Sequence, residues 1–266
     1  MSETSAPADA VAEASSAPIF AAERELLLQL DGVRAGGLGE GDVRLHDVNF
    51  RLHRGELAML QLDSPASVRG VASLLQGLRV PEAGTLTYLG ETWTQRRYAD
   101  QDQLRFRIGR IFVMGAWIES LTIRDNLRLA PTHHGHSIAA VDQRVDELIE
   151  AFPPDMHLGG TKPIRTRLRD HLQQRPSYVA ATLRQLFQWL RAALYPRDLW
   201  ILERPDTHLG EAALSIVCEW MRESLEAGAA AIWMGPSLPA TAPAAGQTIA
   251  IHRGLWKRSG SRERLR

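Results

Sequence analysis

The chain has 266 residues, long for one domain and short for two, which points to one α/β domain with an attached subdomain or tails. Hydrophobic residues make up 44% and charged residues 23%, the balance of a soluble globular protein. With 31 basic and 31 acidic side chains the formal net charge is +0, which argues against a chain held on nucleic acid by bulk charge. In chain order, residues 1–24 read as a disordered lead of Ala, Ser, Pro and Glu, without the basic start and apolar centre of a signal peptide. A strand is expected over 26–30, a turn at Gly36, Gly37, Gly39 and Gly41, and a half-buried strand over 43–52, where apolar and polar residues alternate. Arg54 and Gly55 turn the chain into a short apolar strand over 56–62, followed by a loop over 63–67 and a helix-like stretch ending at Leu78. A turn at 81–84 leads to a strand over 85–89, and 108–113 is another apolar strand.

Residues 124–195 read mostly as helix, with loops near 132–137 and 153–163. Val145, Leu148 and Ile149 fall at helical spacing, as do Leu183, Leu186, Phe187 and Leu190. The wholly apolar 199–202 suits a strand buried in a parallel sheet; a helix over 214–225 and strands over 230–234 and 248–252 follow. The uncharged run 227–251 is broken by Pro236, Pro239 and Pro243, so it does not provide the roughly 20 apolar residues of a membrane span. Strands alternating with helices, with one long helical insert, predict a mixed α/β sheet with a helical subdomain. The single cysteine, Cys218, excludes an internal disulfide, and its apolar helical setting marks it as a small buried residue.

These pieces resemble the nucleotide-binding domain of ABC transporters from about 26 to 258. Leu45, His46, Asp47, Val48, Asn49 and Phe50 with Arg54, Gly55 and Glu56 look like the strand pair before that family's phosphate loop. Leu74 to Leu78, then Pro81 and Gly84, look like the end of the phosphate-loop helix and its exit turn. Ile108, Gly109, Arg110, Ile111 and Phe112 resemble the strand entering the glutamine loop, and Leu121 to Leu127 the segment after it. Leu190 to Leu194, then Leu199 to Pro205 and Leu209, resemble the run from the signature helix through Walker B to the D-loop. The resemblance implies a P-loop NTPase-like ABC cassette: an α/β fold with a mixed β-sheet core, an antiparallel β subdomain and a helical subdomain. It places this domain over 25–258, with the helical subdomain at about 124–190 and a basic tail over 259–266.

The side chains that would do the family's chemistry are mostly replaced. A phosphate loop needs glycines, so that backbone N–H groups converge on phosphate, and a lysine for the β and γ phosphates. The corresponding positions are Leu62, Asp63, Pro65, Ser67, Val68, Arg69 and Gly70: the glycines fall on Leu62, Pro65 and Ser67, the lysine on Val68 and the magnesium-binding hydroxyl on Arg69. Pro65 has no N–H to donate, and Asp63 adds negative charge. Glu203 stands at the magnesium-associated aspartate and could partly serve. Arg204 stands at the catalytic glutamate, where a guanidinium cannot act as a base. The glutamine falls on Val113, the switch histidine on Pro236, the signature serine and glycines on Ala180, Ala181 and Thr182, and the D-loop aspartate on Gly210. Only Lys162 and Lys257 are lysines, and neither follows an apolar strand into a helix as a phosphate-loop lysine must.

The resemblance and its departures imply a subunit that keeps the cassette and has lost its catalytic groups, with no catalytic residue, no metal site and no cofactor expected, ATP and magnesium being disfavoured. The implied partners are a transmembrane permease and an active ABC ATPase subunit, or a second copy as a homodimer, and no nucleic acid. Trp117 and Ile118 lie where the family receives a coupling helix of the permease; packing inward beneath the helical subdomain is the alternative. The implied location is the inner face of the cytoplasmic membrane, reached through those partners. Two other readings stay open: an ATPase with rearranged ligands using Arg69 and Glu203, and a free-standing interaction protein. His133, His134 and His136 read as a solvated loop without a carboxylate nearby in sequence. The basic residues Arg253, Lys257, Arg258, Arg262, Arg264 and Arg266 read as a solvated end, with anionic lipid as an alternative contact.

Overall fold

Two kinds of strand sequence build the sheet. A computed structural model describes residues 24–37, 44–62, 65–252 and 255–258. Strands with alternating burial, β1 (Leu26–Ala35), β2 (Leu45–His53) and β4 (Ala83–Tyr88), form an antiparallel wing edged by the short β5 (Glu91–Thr92). Strands that are almost wholly buried, β3 (Leu57–Gln61), β6 (Ile108–Ile111), β7 (Leu199–Glu203) and β8 (Ala230–Gly235), run parallel beside β9 (Gln247–His252). Burial on both faces selects apolar runs, and these four strands are apolar apart from Gln61, Arg110 and Glu203. A last strand, β10 (Leu255–Arg258), pairs antiparallel with β9 and parallel with β2, joining the halves in the order β5-β4-β1-β2-β10-β9-β3-β8-β7-β6.

The period of two along each central strand sends alternate side chains into two apolar cores. Trp200 and Leu202 of β7 and Trp233 of β8 join the core under the helices α3 (Ile123–His133), α4 (Ile138–Glu150), α5 (Ile164–His171), α6 (Ala181–Ala193) and α7 (Glu211–Glu226). Leu199 and Ile201 of β7 and Ile232 of β8 face the other way, into the core shared by α1 (Pro65–Leu75) and the antiparallel wing. The predicted stripes are buried: Val145, Leu148 and Ile149 in α4, and Leu183, Leu186, Phe187 and Leu190 in α6. Thr122 caps α3 by accepting from the Asp125 N–H at 3.1 Å, and Ser137 caps α4 by accepting from the Ala140 N–H at 3.2 Å. Gly77 ends α1 at φ +68: its N–H donates to Leu74 O at 2.9 Å, and the Leu78 N–H donates to Ser73 O at 2.9 Å.

The structure departs from the sequence reading in four places. The expected loop over 63–67 is cut short because α1 starts at Pro65, a residue pre-set for the first helical turn. Helix α3 runs through Pro131 to His133, into the expected loop at 132–137. Helix α2 (Tyr98–Phe106) was not expected; none of its residues is buried, so it has no apolar stripe to announce it. Strand β10 occupies part of what read as a basic end. The lead before Arg24, the glycines at 39 and 41, and the tail with Arg262, Arg264 and Arg266 lie outside the described residues. No helix among the described residues is long and apolar enough to cross a membrane. Cys218 is buried in α7, and burial pushes its thiol up to about 11.

Candidate functional site

Parallel strands leave their carboxyl ends along one edge, where an open α/β sheet holds its ligands. Here that edge collects Gln61 of β3, Ile111 of β6, Glu203 of β7 and Gly235 of β8. The register confirms the alignment: Gln61 pairs with Gly235, Glu203 with Met234, and Ile111 with Leu202. Leu62, Val113, Glu203 and Pro236, at or just beyond these strand ends, therefore lie along one edge of the sheet.

Between the end of β3 and the first residue of α1 lie only residues 62–64. Pro65, Ser67, Val68, Arg69 and Gly70, expected in or beside a loop, sit inside α1. Pro65, at the first helical position, brings no N–H to that turn. Leu62 and Val68 are 1% and 0% exposed and pack into the core shared with the antiparallel wing. Ser67 and Gly70 are buried, and Arg69 is exposed. Asp63 lies outside the described residues. The Leu62 N–H donates to Gly235 O at 3.0 Å, and Gln61 Nε2 donates to Pro236 O at 2.9 Å, so the β3 exit is tied to the switch position by hydrogen bonds of its own.

The centre of the site is an ion pair. Glu203 is fully buried, and its partner is Arg110, from the neighbouring β6. Arg110 Nε donates to Glu203 Oε1 at 2.6 Å, and Nη2 of the same guanidinium also lies 2.6 Å from Oε1. The Val113 N–H donates to Oε2 at 3.3 Å. The guanidinium also reaches Gln76 Oε1 at 2.8 Å and Ser73 Oγ at 3.4 Å, both near the end of α1, and lies 4.5 Å from the Phe112 ring centroid. Burial lowers the Arg110 pKa, Glu203 opposes that shift, and Arg69 adds a second, smaller lowering. Sequence reading passed over Arg110 as a neutral part of a matched strand. An arginine inside a buried apolar strand needs a charged partner, and that was the available signal.

Around the pair, α6 supplies a second set of internal contacts. Gln188 Oε1 accepts the Phe112 N–H at 2.9 Å, and its Nε2 donates to Gln185 Oε1 at 2.9 Å. Gln185 Nε2 and Trp189 Nε1 both donate to Pro205 O, at 3.0 and 3.1 Å. Arg204 precedes that proline with φ +44, its N–H donating to Met234 O at 2.8 Å, and its buried Nε has no hydrogen-bond partner among the described residues. Ala180 is the N-cap residue of α6, with Ala181 and Thr182 opening the helix, and no side chain caps it. Val113 is half-buried and Met114 is 74% exposed. His208, beside the D-loop position Gly210, is exposed at φ +65.

Trp117 and Ile118 separate. Trp117 is half-buried against the helical core, with the Arg191 guanidinium 4.5 Å from its ring centroid. Arg191, from α6, also donates to Gly115 O at 3.0 Å and Ala116 O at 3.1 Å, and burial pushes it down to about 10. Ile118 stays 48% exposed, its backbone held by Asn126 through the Ile118 N–H at 2.9 Å and O at 3.1 Å. Trp117 is thus partly buried and Ile118 exposed. The histidine segment is also corrected: Asp102, 31 residues earlier in α2, lies 3.1 Å from His133 Nε2, and the His134 side chain is only 7% exposed. Lys162 is exposed and paired with Asp170 at 2.7 Å.

The fold is that of the ATP-binding cassette. A dimeric bacterial ABC transporter cassette, MJ0796, superposes with a TM-score of 0.71 over 87% of this chain and 97% of that one, at 15% identity. By sequence, the chain is 25% identical over 186 residues to Nod factor export ATP-binding protein I of Cupriavidus pinatubonensis. It is 23% identical over 228 residues to a putative ABC transporter ATP-binding protein of Methanosarcina acetivorans. These matches cover 70% and 82% of this chain, and 52% and 71% of the relatives, so the chain spans about half the length of the first. No family model matches it.

Proposed function

We propose that this chain is a catalytically degenerate ATP-binding cassette subunit of an ABC transport complex, serving as a structural or regulatory partner to a membrane permease and an active ATPase subunit. The observation that carries this reading is the buried Arg110–Glu203 pair. A magnesium ion brought to Glu203 would have to displace a guanidinium from a carboxylate with no solvent exposure, leaving two like-charged groups in a dry site. An ATPase that uses Arg69 and Glu203 is disfavoured on the same ground, because Glu203 is already committed.

The relatives named as export or putative transporter ATP-binding proteins support the transport setting, and the dimeric cassette supports pairing with a second cassette. Exposed Met114 and Ile118 offer an apolar contact for a permease helix. This arrangement would place the chain on the inner face of the cytoplasmic membrane through its partners. Because Val68 and Ala180 to Thr182 alter both halves of a composite site, the reading assigns the chain a scaffolding role. Titration of the purified chain with magnesium and ATP tests it. No saturable binding and no phosphate release are expected up to millimolar nucleotide. Micromolar affinity accompanied by turnover would overturn the proposal.

A further inference from the structure

The end of α3 and the middle of α2 bring together three groups that the cassette chemistry does not use. His133 is the last residue of α3 and His134 its C-cap, while Asp102 lies on α2. Asp102 Oδ2 lies 3.1 Å from His133 Nε2 and 3.8 Å from His134 Nε2, and one ligand atom from each of the three residues falls within 4.8 Å of the others. We propose that Asp102, His133 and His134 form a binding site for a zinc-class divalent cation, bridging α2 to the C-terminal end of α3.

Three observations carry this assignment. The first is spacing. Zinc bonds to imidazole nitrogen and carboxylate oxygen are about 2.0–2.2 Å long, so tetrahedral ligand atoms lie about 3.4 Å apart. The observed 3.1 and 3.8 Å bracket that separation. The His133 side chain is 71% exposed and free to swing through the remaining adjustment. The second is the placement of His134. Its side chain is 7% exposed and its Nε2 stands 3.8 Å from Asp102 Oδ2, too long for a hydrogen bond and near the separation of two ligands on one cation. A cation there would replace the 3.1 Å hydrogen bond between His133 Nε2 and Asp102 Oδ2. The third is rigidity. His134 stacks on Phe106 with ring centroids 4.2 Å apart and planes 24° apart, so packing holds its Nε2 toward Asp102 before any ion arrives.

Two imidazoles and one carboxylate favour zinc, nickel or copper over magnesium or calcium, and three protein ligands leave a position for water. Because the site joins two elements whose ligands are 31 residues apart, an ion bound there would add to the stability of the folded state. The test is calorimetric titration of the metal-free full chain with zinc chloride. One zinc per chain is expected, with a dissociation constant of about 10 μM or tighter. Asp102→Asn and His133→Ala should each weaken binding at least about tenfold, while His208→Ala, at an exposed histidine outside the cluster, should leave it unchanged. Asp102 and His133 are at the surface, so equal thermal midpoints of the metal-free variants will show that the fold survives. Absence of saturable zinc binding, equal affinity in both variants, or displacement of zinc by a tenfold excess of magnesium would each overturn the site. None of these outcomes bears on nucleotide binding, so the site stands or falls independently of the cassette's function.

Discussion

Glu203→Leu removes the carboxylate and leaves the Arg110 guanidinium buried with only Gln76 and Ser73 as side-chain hydrogen-bond partners. Arg110→Met does the reverse. With side-chain exposures of 4% and 0%, this pair belongs to the buried class, in which removal of one partner costs about 3–5 kcal/mol. A solvent-exposed pair would cost 1 kcal/mol or less. For a chain of this size 1 kcal/mol moves the melting midpoint by about 2–4 °C, so each single variant should melt roughly 6–20 °C lower. The double variant Arg110→Met with Glu203→Leu replaces both charges by apolar groups and should recover most of the loss, since such replacements are often neutral or stabilising. Urea unfolding of the four proteins, read as a double-mutant cycle, measures the coupling directly. Single-variant costs below about 1 kcal/mol, or a double variant whose cost equals the sum of the two singles, would refute the claim that the two charges exist for one another.

Ile118→Asp alters an exposed side chain and should change stability by no more than about 0.5 kcal/mol, yet under the proposed function it should abolish co-sedimentation of the chain with membranes carrying the proposed permease; retention at wild-type levels would remove Ile118 from the proposed docking surface. Asp142 ties α4 to α3, its carboxyl held below the usual carboxylate range first by the Arg128 hydrogen bond and then by Arg128 and Arg124 charge. A carboxyl depressed in the folded state adds stability above its unfolded pKa of about 3.9 and loses it as pH falls through the lower folded value. Asp142→Asn should therefore lower stability at pH 7 and flatten the acid side of the stability profile below about pH 4, as measured by urea midpoints; an unchanged acid limb would contradict that sign.

The framework of this fold was legible because its central strands are short, mostly apolar and separated by turns. The 199–202 run needed no family to be read as a buried parallel strand. Helix α2 was illegible for the converse reason: Tyr98, Asp100, Gln101 and Asp102 carry no apolar period, and the helix forms against its neighbours without burying a residue of its own. The contacts of the site were illegible because they are long-range: Arg110 and Glu203 are 93 residues apart, and no local motif links them. The same limit hid Asp102 from His133, and Gln188 from Phe112. Local spacing can report a side chain's face, but a contact across strands needs the register, and register came only with the structure.

Val68 and Arg110 show what a positive charge costs at two places near the sheet edge. Val68 is 0% exposed in the core shared by α1 and the antiparallel wing, so a lysine there would bury an ammonium in apolar surroundings. Without Arg110, Glu203 would be a buried carboxylate with only the Val113 N–H for support, a costly state. Arg110 supplies that positive charge from the adjacent strand and anchors β6 against β7 and the end of α1. Val68→Lys would add a buried cation with no such partner and should lower the urea midpoint; an unchanged midpoint would contradict the argument.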